Sequence, residues 1–104
     1  MGPQSHAHDM TFNQVGGNIE RRMDMSELAG ELATLRRAMR GEATEPEHDI
    51  AVGEMAKAEE AARAKDSSKV AESLKAAGKW ALDVATKIGT TLASEALKES
   101  LGMK

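Results

Sequence analysis

Five apolar side chains, Met25, Leu28, Leu32, Leu35 and Met39, recur at spacings of 3, 4, 3 and 4. That repeat lays them along one face of an α-helix, whereas a strand would scatter them over both of its faces. The start of this helix is equally well marked. Asp24 can cap it, Glu27 follows three residues later, and Met23 and Leu28 occupy the two positions of a hydrophobic staple. The helix is expected to run to about Met39 or Arg40, with Gly41 as its stop. Its stripe is two heptads long and faces either the core of a bundle or a second copy of the chain.

Two further stretches read the same way. Thr44 and Glu47 have capping-box spacing, with Pro46 in the first turn where its missing donor costs nothing. The helix they open should reach about Lys65. It carries Ala51, Met55, Ala58 and Ala62 inward, with Ile50 and Val52 beside them. A short polar turn, Lys65 to Ser68, then predicts an antiparallel neighbour. From Ser68 to Ile88, residues advanced at about 100° each place Val70, Leu74, Ala77, Gly78, Trp80, Ala81, Val84 and Ile88 in an apolar arc of roughly 200°. Lys69, Glu72, Lys75, Lys79, Asp83 and Lys87 fill the rest. The phase holds across Gly78, which predicts one helix with a close crossing at the glycine. An arc this wide exceeds what one neighbour covers, so the helix is either central or keeps one side for a partner. Beyond Gly89, Thr90 or Thr91 can cap a short last helix bearing Leu92, Ala93, Ala96, Leu97 and Leu101, and Gly102 suits a left-handed end.

The expectation is therefore an all-α protein. A small bundle of four helices spans residues 23–104, preceded by a tail and a Gly/Asn-containing arm over 1–22. The arm holds Gly16-Gly17, a candidate hairpin turn, but Phe12, Val15 and Ile19 do not alternate on one face, so it is read as flexible or strand-like. The Gly2-Pro3 opening ahead of Met10 resembles an expression scar, and residues 1–9 are left out of the fold reasoning.

The core must be thin. The chain has eight Leu, four Val, three Ile and one Phe among 104 residues, a share below the roughly one-fifth at which a chain begins to look disordered. Alanine and seven methionines fill the gap. Alanine favours helix strongly but buries little area. This combination favours an assembly over a very stable monomer. The absence of cysteine removes disulfides and thiol chemistry. A pI near 5.6 argues against general nucleic-acid binding, which needs a basic surface. No run approaches a membrane span in length and no signal peptide is visible, so a soluble cytoplasmic protein is expected.

The span Ala51 to Gly78 looks like a tetratricopeptide-type helical hairpin, although only one unit is present and no period of about 34 residues repeats. The span Thr44 to Gly102, with its AAGKWALDVATKIG segment, is similar to small bacterial helical modules of poorly defined function, some linked to conflict and antiviral defence. That resemblance implies an adaptor or self-association role.

Catalytic signals are thin. His6, His8 and Asp9 form a ligand-like cluster in the presumed tail. Glu47, His48 and Asp49 lie in a helical first turn, where acidic residues suit the dipole in any case. Gly16-Gly17 lacks the lysine and spacing of a phosphate loop. No enzyme activity, metal or cofactor is expected. The function expected is protein–protein interaction, with homo-oligomerisation foremost. Amphipathic membrane association, or inhibition of a partner as a small antitoxin would do, are the alternatives. A balanced charge around Lys79 to Leu101 argues against the membrane. The interface candidates are the stripe Met25, Leu28, Leu32, Leu35 and Met39, together with Leu74, Gly78, Trp80 and Val84.

Overall fold

A computed structural model describes residues 17–19 and 23–102, and every regular element among them is an α-helix. The elements are α1 (Met25–Glu42), α2 (Pro46–Arg63), α3 (Ser67–Ala77), α4 (Lys79–Ile88) and α5 (Leu92–Ser100). Residues 17–19 are helical too. Ile19 is fully buried, and its carbonyl accepts the Met23 N–H at 3.0 Å. Where the arm is described it is thus helical rather than strand-like, and it enters the core. The tail cluster His6, His8 and Asp9 and most of the arm lie outside the described residues.

Local chemistry sets the helix starts. Asp24 Oδ1 accepts from the N–H groups of Ser26 and Glu27 at 2.8 and 3.2 Å, as its position predicts. Asp66 does the same for Lys69 N–H at 3.1 Å, at the start of α3. The Thr44–Glu47 box does not form. Pro46 is the first helical residue of α2, and it holds Glu45 extended (φ −123°, ψ 154°), as a residue before proline prefers. Glu45 is therefore the N-cap and makes no side-chain cap bond.

The expected single helix from Ser68 to Ile88 is two helices. Gly78 has φ 85° and ψ −171°, conformation space essentially reserved for glycine, and it ends α3 while opening α4. The apolar phase runs through it because both helices bury their apolar faces in the same core. A close helix crossing is not the reason for the glycine: a Cβ built there would meet no atom within 4 Å. Gly89 (φ 83°) closes α4, and Thr90 N–H reaches back to the Ala85 carbonyl at 3.1 Å, a Schellman-type end. Gly102 has φ 74°, the left-handed end its position predicts.

Helix α1 packs against α2, α4 and α5, while α2 packs also on α3 and α4, and α5 on α3 and α4. The α1 stripe is enclosed by the chain's own helices: Met25 is 7% exposed, and Leu28, Leu32, Leu35 and Met39 are fully buried. Most of the wide arc of α3 and α4 is enclosed as well, since Val70, Leu74, Ala81 and Val84 are at or near zero exposure, while Trp80 is half-buried and Ile88 is 38% exposed. Five helices fold back on one another, so a face too wide for one neighbour meets several.

Two substitutions test this packing. Leu32→Asp would bury an unpaired carboxylate, at a cost on the order of several kcal/mol. Circular dichroism should show helicity and melting temperature falling together at any protein concentration. Loss of an oligomer with melting unchanged would contradict a core-facing stripe. Gly78→Ala should destabilise by roughly 1–3 kcal/mol, because its backbone conformation is strained for any side chain. Chemical denaturation measures this, and a gain in stability would mean that one continuous helix forms.

Candidate functional site

Helix α2 presents different chemistry on its two flanks. On one flank, near its N-terminus, His48 stacks on Trp80 with ring centroids 3.9 Å apart and planes 11° from parallel. Such a pair contributes about 0.5–1.5 kcal/mol beyond its buried area. The imidazole is fixed from behind, because its Nδ1 accepts the Thr44 backbone N–H at 3.1 Å. In the neutral ring the proton then sits on Nε2, the nitrogen left available. Both rings are half-buried. Pro46 contributes indirectly: by starting α2 at residue 46 it places His48 in the first turn, facing back towards Thr44.

Next along this helix lies an ion cluster joining α1 to α2. Glu59 accepts Arg36 Nε at 2.8 Å through one oxygen and an Arg63 guanidinium nitrogen at 2.7 Å through the other. Burial pushes the Glu59 carboxyl up and is the strongest single influence on it. Hydrogen bonds from Arg63 and Arg36, with their charges, outweigh it together and hold the group below its ordinary value of 4.5. A second tertiary bond caps α5. Thr91 makes no side-chain cap there, and Glu31 of α1 accepts the Ala93 N–H at 2.9 Å instead. A carboxylate at a helix N-terminus also suits the macrodipole.

On the opposite flank, α2 and α3 bound a continuous surface groove. Its larger cleft, about 460 Å³, has Ala61 and Ala64 as its small-residue floor. A second cleft, about 350 Å³, continues it past Glu54, Ser73 and Ala76. Lys57 and Lys69 line both. Ile50, expected beside the inner face, is 64% exposed, one helical turn before Glu54 of the second cleft.

The structure separates the residues singled out from sequence. Met25, Leu28, Leu32, Leu35, Met39, Leu74 and Val84 lie in the core and offer a partner no surface in this conformation. Gly78 is a helix junction. Trp80 alone combines partial exposure with a large apolar face. The His48 partnership was not anticipated: a histidine beside two acids in a first turn reads as part of that turn, and the stack depends on a residue 32 positions away. Ile50 could have been found, since it lies off the line of Ala51, Met55, Ala58 and Ala62. Among the described residues, no helix is long and apolar enough to cross a membrane. Comparisons with family models, curated proteins and solved structures find no match to this chain.

Glu59→Gln should lower stability by roughly 1–2 kcal/mol at neutral pH. A depressed native pKa stabilises fully above the unfolded value near 4.5, and that contribution is lost as pH falls through the native value. Urea titrations across pH should therefore show the gap between wild type and variant closing below about pH 4.5. A gap that stays constant into acid would contradict the ion cluster.

Proposed function

We propose that this protein is a non-catalytic helical module that binds protein chains, its own copies included, in the manner of an adaptor. The observation that carries the reading is the Trp80–His48 pair. The only tryptophan of the chain is half-buried at the margin of the core, and its ring is held against an imidazole that is itself tied to the backbone. A rigid, half-exposed tryptophan loses little freedom on binding and offers a large apolar face, which is why tryptophan is enriched among interface hot spots. The resemblance of the segment around Trp80 to small bacterial adaptor modules supports a place in a defence or signalling complex. The lack of cysteine suits work in the reducing cytoplasm.

Capping of a toxic partner would use the same surface and differs only in what is bound. Membrane association has less support. The apolar sides of α4 and α5 carry Ala81, Leu82, Val84, Ala85, Ala93, Ala96 and Leu97, all buried within the chain. Lipid contact through them would require the bundle to open.

Trp80→Ala tests the reading. Wild type and variant, both checked for helicity, serve as baits in extract from the source cell. The expected result is a defined set of proteins retained by wild type and reduced at least about tenfold with the variant, as loss of a hot spot worth 1.4 kcal/mol or more requires. Identical sets on both baits would contradict it.

A further inference from the structure

The groove flank of α2 has a pattern that the fold of one chain uses only at Ala61, which is 6% exposed and packs at the edge of the core. Ile50, Glu54, Lys57, Ala61 and Ala64 follow one another at spacings of 4, 3, 4 and 3. At about 100° per residue they stay within roughly 40° of one line along the helix. This is a second heptad stripe, turned away from the core stripe of Ala51, Met55, Ala58 and Ala62. Its ends are complementary. At one end Ile50 is 64% exposed, the most exposed large hydrophobic side chain among the described residues. At the other, exposed Ala64 and nearly buried Ala61 line the larger cleft, where short side chains leave room for an aliphatic one.

The charges between these ends complete the pattern. Ile50 and Ala61 are separated by about 16 Å along the axis at 1.5 Å per residue. The midpoint falls between Glu54 and Lys57, residues of opposite charge. Consider a two-fold axis at that midpoint, perpendicular to α2 and lying in the groove face. It lays α2 antiparallel on a second α2. It seats Ile50 over the partner's Ala61 and, by the same operation, receives the partner's Ile50 over Ala61. It also sets Glu54 against the partner's Lys57 and Lys57 against the partner's Glu54. In the single chain Lys57 Nζ and Glu54 Oε2 are 3.5 Å apart, with the Lys57 side chain 64% and the Glu54 side chain 23% exposed, so the lysine can turn to a second carboxylate across the axis. An isologous contact needs a self-complementary patch, and this stripe is self-complementary in both shape and charge.

We propose that the occupant of the α2–α3 groove is a second copy of this chain, bound antiparallel through Ile50, Glu54, Lys57 and Ala61. The inference deepens the assembly reading above and rests on it, but it uses the flank of α2 opposite Trp80. A dimer built this way leaves the Trp80–His48 pair open to a different protein.

Sedimentation or light scattering on the full chain, over a dilution series reaching several hundred micromolar, tests it. The mass should rise from 11.1 kDa towards twice that value as concentration increases. Ile50→Glu should weaken the dimer at least about tenfold, the loss expected for one buried aliphatic side chain. Its melting curve at monomeric dilution should not change, since Ile50 is mostly exposed. Glu54→Lys and Lys57→Glu should each weaken the dimer by setting like charges across the axis, and the double exchange should restore it. A monomer at every concentration would overturn the proposal, as would a dimer indifferent to Ile50→Glu or a double exchange that fails to rescue. The protein-binding reading would still stand if such a monomer retained partners through Trp80.

Discussion

The burial of one stripe on α1 is the contact on which the other helices depend. Leu28, Leu32, Leu35 and Met39 are fully enclosed, and α2, α4 and α5 all rest on the helix that carries them. Ile19 and Met23 extend the same apolar surface beyond its N-terminus. Removing α1 would leave the α2–α3 hairpin touched only by α5 and, through His48 and Trp80, by α4. An isolated pair of helices of this length is marginal in water, since most helical stability comes from packing an apolar face.

The thinness of the core explains why polar ties recur between elements. Alanine supplies about half of the buried apolar residues, among them Ala29, Ala58, Ala62, Ala71, Ala81, Ala85 and Ala96. Each removes less apolar area from water than a leucine would, although together they let helices approach closely. Bonds that span elements add what the core lacks. Glu31 caps α5 from α1, Glu59 joins α1 to α2 through Arg36, and His48 ties α2 to α4 through Trp80. The buried hydroxyl of Ser100 is satisfied locally by the Ala96 carbonyl at 2.8 Å.

Legibility in the sequence follows the range of the forces involved. The α1 stripe, the Asp24 cap, the polar turn before α3 and the left-handed end at Gly102 depend on neighbours within a few residues, and each could be read directly. The break at Gly78 could not be read from periodicity, because a helix ending in the core and another starting there keep the same apolar phase. Only the positive φ distinguishes the two cases, and sequence does not show it. The width of the α3–α4 arc fits either a central helix or one with a side kept for a partner, and periodicity alone does not choose between them; burial of Val70, Leu74, Ala81 and Val84 within the chain does. The Trp80–His48 stack and the Glu31 cap join residues 32 and 62 positions apart, and no local pattern announces them. Val52 and Ile50 both flank the inner face of α2 in sequence, yet Val52 packs against the core while Ile50, on the other side of that face, is 64% exposed.

The central claim is that a single chain encloses the α1 stripe without help from another. Native-state amide hydrogen exchange, followed residue by residue at two widely separated protein concentrations, measures this directly. The slowest amides should lie between Leu28 and Met39, with the same protection at both concentrations, because their opening is governed by the fold of one chain. Protection in that segment that collapses on dilution would show that the stripe is covered by a second chain, and the account of the core would be wrong.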